Sequence, residues 1–440
     1  MKYDKFFALA KEAGIEEAEL YVETSYSLSV SLFHGEIDKY SVEDGSIFLA
    51  RGIINGKFGS ANCDVFNAEK AKYLVDEIVK NAKAIESDDP AILFKGSEKY
   101  HKVSTYNKEL KNIPVDDKIA KLCELEKKLK TLDKRVIEVE GVEYSESESS
   151  TTLMNSSGLK LTQKSNYFVY VGSVLAEENG QVKSGYELLL DNDFSNVDID
   201  KLARATVDNC VSQLGGEPCE TKAYKAVLDR EVMASLIRVY MGHADSEDVQ
   251  KQSSLFIGKI GQKVASKKVT IEDKPLFKSV YARWFDDEGV ATYNKAIVKN
   301  GILQTYLYNL ATASKEGTVS TGNGYKSGSK IGVSPTFLTL KPGKKSLEEL
   351  FKEIGNGVYI TEINGLHAGM NPQSGNFSLQ STGFLIENGK KGRALDIITI
   401  SGNLVDLFND IVEVGGDSKV LTSAVSTPSV IVKKLQVGGK

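Results

Sequence analysis

The first 86 residues alternate between two hydrophobic periods. Lys2 to Ala13 repeats its apolar residues at helical spacing, whereas AELYVET and YSLSVSLF, within Glu17 to Val42, place them at every second position. The second period is that of extended chain with one face buried. SIFLARGIINGKFGSAN then reads as a hairpin, because Asn55-Gly56 tolerates the positive φ angles of a type I′ turn. AEKAKYLVDEIVKNAKAI follows as an amphipathic helix with Ala71, Leu74, Ile78 and Ala82 close to one face.

A polar, weakly periodic stretch at 87–114, opening in ESDDP, reads as a surface connector. PVDDKIAKLCELEKKLKTL then starts a helix at Pro114 with an acidic first turn. The earlier order returns: strands run from RVIEVEGVEYSES to GYELLL, with Asn179-Gly180 as a hairpin turn, and lead into the helix DIDKLARATVDNCVSQL. Helix, strands, hairpin and helix thus occur twice, at about 1–86 and 115–214, which predicts a duplicated α+β unit.

After Gly215-Gly216-Glu217-Pro218 the pattern changes. KAYKAVLD predicts a strand and Arg230 to Met241 a helix, but from Val269 onward short strands alternate with turns, among them Asn300-Gly301 and Asn388-Gly389. SLEELFKEI is the one clear helix of that region, with a Ser cap and Glu349 three residues on. Residues 220–440 are therefore expected to form a β-rich domain, closed or strongly curved, because an open antiparallel sheet leaves exposed edges. The fold class expected is α+β: a duplicated strand-helix amino-terminal region followed by a β-rich, barrel-like carboxy-terminal domain.

Composition narrows the function classes. The chain of 440 residues is 41% apolar and 26% charged, as folded globular proteins are, and its net charge of −5 supplies no clustered positive surface for nucleic acid. No apolar run approaches a membrane span, and MKYDKFFALAKEAG carries charges through what would be a signal peptide's apolar core. A cytoplasmic protein is expected. Cys63, Cys123, Cys210 and Cys219 form no C-x-x-C pair and read as buried free thiols.

Candidate chemistry is sparse. ASLIRVYMGHADSEDVQ begins like a metallopeptidase helix, in which two histidines bind zinc and a glutamate works on the metal-bound water. It has one His, His243, and no Glu beside it. A lone His on the face of Leu236 and Tyr240 is more often a hydrogen-bonded packing residue, and Asp245, Glu247 and Asp248 read as a solvated loop face. The glycine-rich STGNGYKSGSKIG brings Gly322, Asn323 and Gly324 forward either as a ligand-approach loop or as a long β-turn. GLHAGMNPQSGNFS offers His367, Asn371 and Ser374 as side chains that could line a peptide channel, or an ordinary inter-strand loop. Trp284 and FDDEG suit an interface as well as a core.

An ordered series of segments gives a resemblance to a known family: SSLFIGKIGQKVASKKVTIED, WFDDEGVATYNKAIVKNGILQTYLYNLATA, TGNGY, GLHAGMNPQSGNFSLQSTGFLIENG and TPSVIVKKLQVGGK. The chain resembles the TldD/TldE (PmbA) family across essentially its whole length, and within it the TldE/PmbA branch, often called modulator of DNA gyrase. The resemblance implies an α/β amino-terminal region followed by a barrel-like domain. Its TldD branch carries an HExxxH zinc motif ending in Gly-His and a later cysteine ligand. Aligned on Gly242-His243, that motif has Arg238 in place of the first His and Val239 in place of the catalytic Glu, while Asp417 and Ser418 lie in the region of the cysteine. Two ligands five residues apart sit ~140° apart on an ideal helix, so Gly242 is expected to open the helix beside His243.

The resemblance therefore implies no zinc in this chain and a TldD-like partner that supplies it. It implies a heterodimer with a shared chamber for peptide or unfolded-protein substrates; a β-rich domain lining half of that chamber would expose apolar or backbone edges when alone, so a homodimer is expected without the partner. Two alternatives remain at this stage: a regulatory protein binding a large partner such as gyrase, and a self-sufficient hydrolase using His243 or His367.

Overall fold

The computed structural model describes residues 3–86, 90–328 and 330–440; the expected helix start at Lys2, the ESDDP residues 87–89 and position 329 of the glycine-rich segment lie outside the described residues. The amino-terminal region opens with helix α1 (Asp4–Glu12), then strands β1 (Glu17–Phe33), β2 (Glu36–Ile54) and β3 (Lys57–Cys63), then α2 (Ala68–Ala84). The order repeats as α3 (Val115–Leu129), β4 (Val136–Asn155), β5 (Lys160–Glu178), β6 (Gln181–Asp191) and α4 (Ile199–Val211). The two sets of strands join in one six-stranded antiparallel sheet, β3-β2-β1-β4-β5-β6, across the long β1–β4 pairing that runs from Glu19 opposite Asn155 to Leu32 opposite Val142.

Turn chemistry sets this register. Asn55-Gly56 and Asn179-Gly180 both have positive φ at the two central residues, as a two-residue hairpin requires. The extended reading of Glu17 to Val42 is corrected: the chain reverses at His34-Gly35, with φ of 54° and 81°. Histidine is not a usual first residue of such a turn, so no turn signal marks the spot.

Alternation along the strands puts the helices on one face. Leu20 and Val22 pack with Phe6, Leu74 and Ile78 under α1 and α2, and Leu28, Val30 and Leu32 pack with Leu122, Leu125, Leu202 and Val207 under α3 and α4. In each unit an outer strand approaches its helix at a glycine. A Cβ on Gly59 of β3 would lie 1.9 Å from the Ile78 carbonyl oxygen of α2, and one on Gly185 of β6 would lie 2.6 Å from the Cys210 backbone of α4.

Strand β7 (Lys222–Leu228) enters the carboxy-terminal domain. It lies between strands 357–364 and 430–438, and the sheet continues through 376–387 to 390–403. The last of these pairs back to 430–438, with Thr399 opposite Gly438, which closes a five-stranded barrel. A second sheet of six short strands includes 271–273, 295–299, 338–340 and 425–427. Helix α5 (Arg230–Gly242) packs in the core shared by both, with Leu236, Ile237, Tyr240 and Met241 fully buried beside Ile271, Leu338, Val358 and Ile360.

The Ser346 cap and Glu349 form the expected capping box on Leu347–Ile354, and the domain adds the short helices Leu310–Lys315, Leu366–Gly369 and Leu404–Asn409. These are too short to show a helical period. All four cysteines are free, but only Cys210 and Cys219 are buried; Cys123 is exposed because it falls on the outer face of α3. Among the described residues no helix is long and apolar enough to cross a membrane.

The glycine contacts give a stability test. Gly59→Ala and Gly185→Ala should each destabilise the chain by about 1–3 kcal/mol or more in urea unfolding, because the strand must move off its helix. Gly332→Ala, where a Cβ meets nothing within 4 Å, should stay within about 1 kcal/mol of the parent.

Candidate functional site

Helix α5 starts at Asp229, whose side chain accepts a hydrogen bond from the Glu231 N–H. Its core face fixes where the other residues point. Arg238 is exposed, and its Nη1 donates to the Ser423 carbonyl oxygen at 2.6 Å, tying the helix to the chain just before the strand Val425–Thr427. Val239 is half-buried against the same core. His243, 6% exposed, follows the last helical residue.

The expected opening at Gly242 is not what ends the helix. Gly242 has no positive φ, and a Cβ there would meet nothing within 4 Å. The chain instead tightens: the His243 N–H donates to the Tyr240 carbonyl, Ala244 to Met241 and Asp245 to Gly242, all three residues back.

The His243 ring is held on three sides. Nδ1 accepts from the Leu255 N–H at 3.3 Å, the Phe256 ring stands edge-on at 5.9 Å, and the His243 carbonyl accepts from Ser254 Oγ at 2.6 Å. Nε2 is buried without a hydrogen-bond partner among the described residues. Burial lowers the imidazole pKa below its ordinary 6.5, against a smaller opposing pull from Asp248, so the ring is neutral near pH 7.

The neighbouring carboxylates are spent on structure. Asp245 caps Ser246–Gln250, and burial pushes its pKa up to about 6. Glu247 pairs with Lys251 and Lys330, and Asp248 accepts from Ser253.

The glycine-rich loop and FDDEG meet in a different place, where the carboxy-terminal domain sits on the uncovered face of the amino-terminal sheet. Asp286 accepts from the N–H groups of Glu288, Val290 and Gly324. Asp287 accepts from Tyr21 and Arg283 at Oδ1 and from the Lys326 N–H at Oδ2. Glu288 accepts from the Leu310 N–H at 2.8 Å. Behind them Glu19, fully buried, takes two contacts from Arg51 and lies 3.5 Å from Lys326 Nζ. Burial pushes Glu288 up to about 8 and Asp286 to about 6, and draws Lys326 down to about 8.

Asn323 is saturated within this junction. It donates to Asp273 and the Ser334 carbonyl, and accepts from Lys295 and Thr321. Gly322 takes φ of +69°, and a Cβ on Gly324 would sit 2.7 Å from a Glu288 carboxyl oxygen. The 322–324 part of the glycine-rich segment is buried; the Gly322 N–H donates to Ser320 Oγ and the Gly324 N–H to Asp286.

Three family models match in order: PmbA/TldA metallopeptidase domain 1 over residues 18–82, the central domain over 108–214 and the C-terminal domain over 221–439. The chain belongs to the PmbA/TldD family. A solved structure from Thermotoga maritima, described as a candidate modulator of a DNA gyrase, is 31% identical, covers 99% of both chains and superposes with a TM-score of 0.92. The metalloprotease PmbA homolog of Buchnera aphidicola from Acyrthosiphon pisum is 25% identical over 96% of this chain and 93% of its own. TldE from Thermococcus kodakarensis shares the fold, with a TM-score of 0.92 over the whole of both chains at 24% identity.

Membership of a metallopeptidase family implies a bound metal, and the residues of α5 do not fit one. Arg238 brings a cation and no lone pair, and Val239 brings no polar atom. A neutral His243 that accepts at Nδ1 carries its proton on Nε2, which blocks the lone pair a metal would need. Asp417 is also elsewhere. Its carboxylate accepts from the Ser429 N–H and Oγ, and its carbonyl lies by Arg230 at the start of α5, whereas Ser423 is the late residue that faces position 238. Ser418, next to it, is exposed. Among the described residues no three His, Cys, Asp or Glu side chains converge as a metal site.

His367, Asn371 and Ser374 lie together on an exposed loop. Gly365, at φ of +78°, starts the short helix Leu366–Gly369, and Asn371 Oδ1 accepts from the Ser374 N–H. The loop borders a surface recess of about 580 Å³ shared by Asn371, Gln373 and Ser378. Its Gly375 packs on Leu255, the residue that donates to His243, so this loop and the end of α5 adjoin. Sequence reading missed the ionic junction, because Glu19 and Arg51 lie at strand positions that alternation assigns to an open face.

The neutral buried imidazole predicts a pH effect with a definite sign. A folded-state pKa below the unfolded value contributes stability above the unfolded pKa that is lost as pH falls through it. Compared with His243→Gln, the parent chain should lose urea stability between about pH 7.5 and about pH 5. Parallel pH profiles of the two proteins would remove this reading of His243.

Proposed function

We propose that this chain is the zinc-free subunit of a two-subunit peptidase: a TldD-like partner supplies the metal, the attacking water and the catalytic Glu, and this chain shapes the chamber that holds a peptide or unfolded-protein substrate. One observation carries the reading. At the three positions where the family resemblance would put the zinc motif, α5 and its end carry an arginine bonded to a backbone carbonyl, a valine and an imidazole whose Nδ1 already accepts a hydrogen bond. The fold shared with Thermococcus kodakarensis TldE supports the same assignment.

Such a subunit would act in the cytoplasm and, without its partner, would pair with itself. The outer edge of β2 supports this. Among the described residues, its positions 36–47 pair with β1 alone, and Ile37, Tyr40 and Val42 are each about half exposed there.

A second reading, regulation of a large protein such as gyrase, has the description of the Thermotoga maritima relative in its favour. A self-sufficient hydrolase finds less support, because His243 has no free lone pair and the His367 loop has no acid hydrogen-bonded to its imidazole among the described residues.

The deciding experiment purifies the chain alone and with a TldD-like protein, then measures zinc and peptidase activity. Alone it should hold no stoichiometric zinc and cleave nothing; together the pair should cleave unfolded substrates. One tight zinc per chain, lost in His243→Ala, would overturn the proposal. In the assembled pair, His367→Ala and Asn371→Ala should raise KM about two- to tenfold with kcat little changed and folding intact. Unchanged kcat/KM in both would make the loop a plain connection.

A further inference from the structure

A cavity of about 250 Å³ lies where the carboxy-terminal domain meets the uncovered face of the amino-terminal sheet. Lys164, Arg283 and Lys326 contribute cations to its wall, against Glu23 and Asp287, which leaves one positive charge in surplus. The wall is also rich in unspent donors. Asp287 already accepts at both oxygens. Arg283 commits one N–H to it, out of five that a guanidinium carries. Among the described residues, the Lys326 side chain, 3% exposed, makes one long contact of 3.5 Å to Glu19 and stands 4.0 Å above the Tyr21 ring. A buried ammonium so thinly partnered favours an oxygen ligand within reach.

The approach to the cavity fits an extended chain. Along the sheet, Ser25, Ser27 and Ser29 of β1 stand opposite Ser149, Ser147 and Ser145 of β4 on the same face as Tyr21 and Glu23. Small hydroxyl side chains leave a shallow polar track, and Ser149 itself lines the cavity at its end.

We propose that this cavity binds the carboxylate of a peptide lying along the serine track. The ligand class rests on the peptide-handling reading above. A monoanion matches the single surplus charge, whereas a phosphate dianion would face Glu23 and Asp287 with a charge too many. Two sources of carboxylate share this chemistry, a carboxy terminus and an acidic side chain.

The test is calorimetric titration of the isolated full chain. The probes are N-acetyl-Ala-Ala with a free carboxy terminus, its carboxamide, N-acetyl-glutamate carboxamide and inorganic phosphate. One or both carboxylates should bind at least about tenfold more tightly than the neutral amide, the gap expected of a charge-assisted hydrogen bond, and which of them does identifies the source. Lys326→Met should abolish that preference. Lys164→Ala, on an exposed rim residue, should weaken it several-fold with the thermal midpoint unchanged. Should Lys326→Met fail to fold, Lys164→Ala alone decides. Equal binding of acid and amide, tighter binding of phosphate, or a preference indifferent to Lys164→Ala overturns the site. Because no partner or cleavage is involved, failure here leaves the peptidase-subunit reading standing, and failure of that reading does not alter this titration.

Discussion

Removing a charge from water costs several kcal/mol unless another group replaces the solvent, and this protein buries a set of charges at the joint between its two halves. Glu19 is fully buried and shared by Arg51 and Lys326, which come from different domains. Asp287 is likewise shared by Tyr21 of the sheet and Arg283 of the carboxy-terminal domain. Breaking the joint would strand carboxylates and cations at once, so the relative placement of the halves follows from keeping opposite charges together. The glycines of the 322–324 loop follow from it too: a side chain at Gly324 would occupy the space of the Glu288 carboxyl.

Helix α5 is held in the carboxy-terminal domain by apolar packing. Leu236, Ile237, Tyr240 and Met241 anchor α5 in the core, and none of them is a metal-binding group. Arg238 and Val239 lie at the margin of that packing, exposed and half-buried, whereas His243 is buried against Phe256. The packing that fixes the helix therefore does not depend on which side chains stand at 238 and 239. The joint between the halves places a donor-rich cavity at the end of a polar track.

Local chemistry made a good part of the fold legible. Asn55-Gly56, Asn179-Gly180, Asn300-Gly301 and Asn388-Gly389 all take two positive φ values, because asparagine followed by glycine meets the need of a two-residue turn without help from the rest of the chain. His34-Gly35 makes the same turn and was not legible, since there the surrounding β1–β2 ladder imposes the conformation on a residue that does not favour it. Helical and strand periods located α1 to α5, while helices of one turn escaped because they are too short to display a period.

The candidate site divides along the same line. The sequence by itself determined that an arginine and a valine, rather than a histidine and a glutamate, stand at 238 and 239. It also determined the duplicated strand-helix order and the strand-rich second half. Only the tertiary structure decided the tautomer of His243, the saturation of Asn323 and the closure of the barrel through Thr399 and Gly438. It alone brought Glu19, Arg51, Arg283, Asp287 and Lys326 into one buried network. The physical reason is range: turn preference and periodicity act over a few neighbouring residues, whereas desolvated charge pairs and barrel closure join positions hundreds of residues apart, whose pairing no local pattern records.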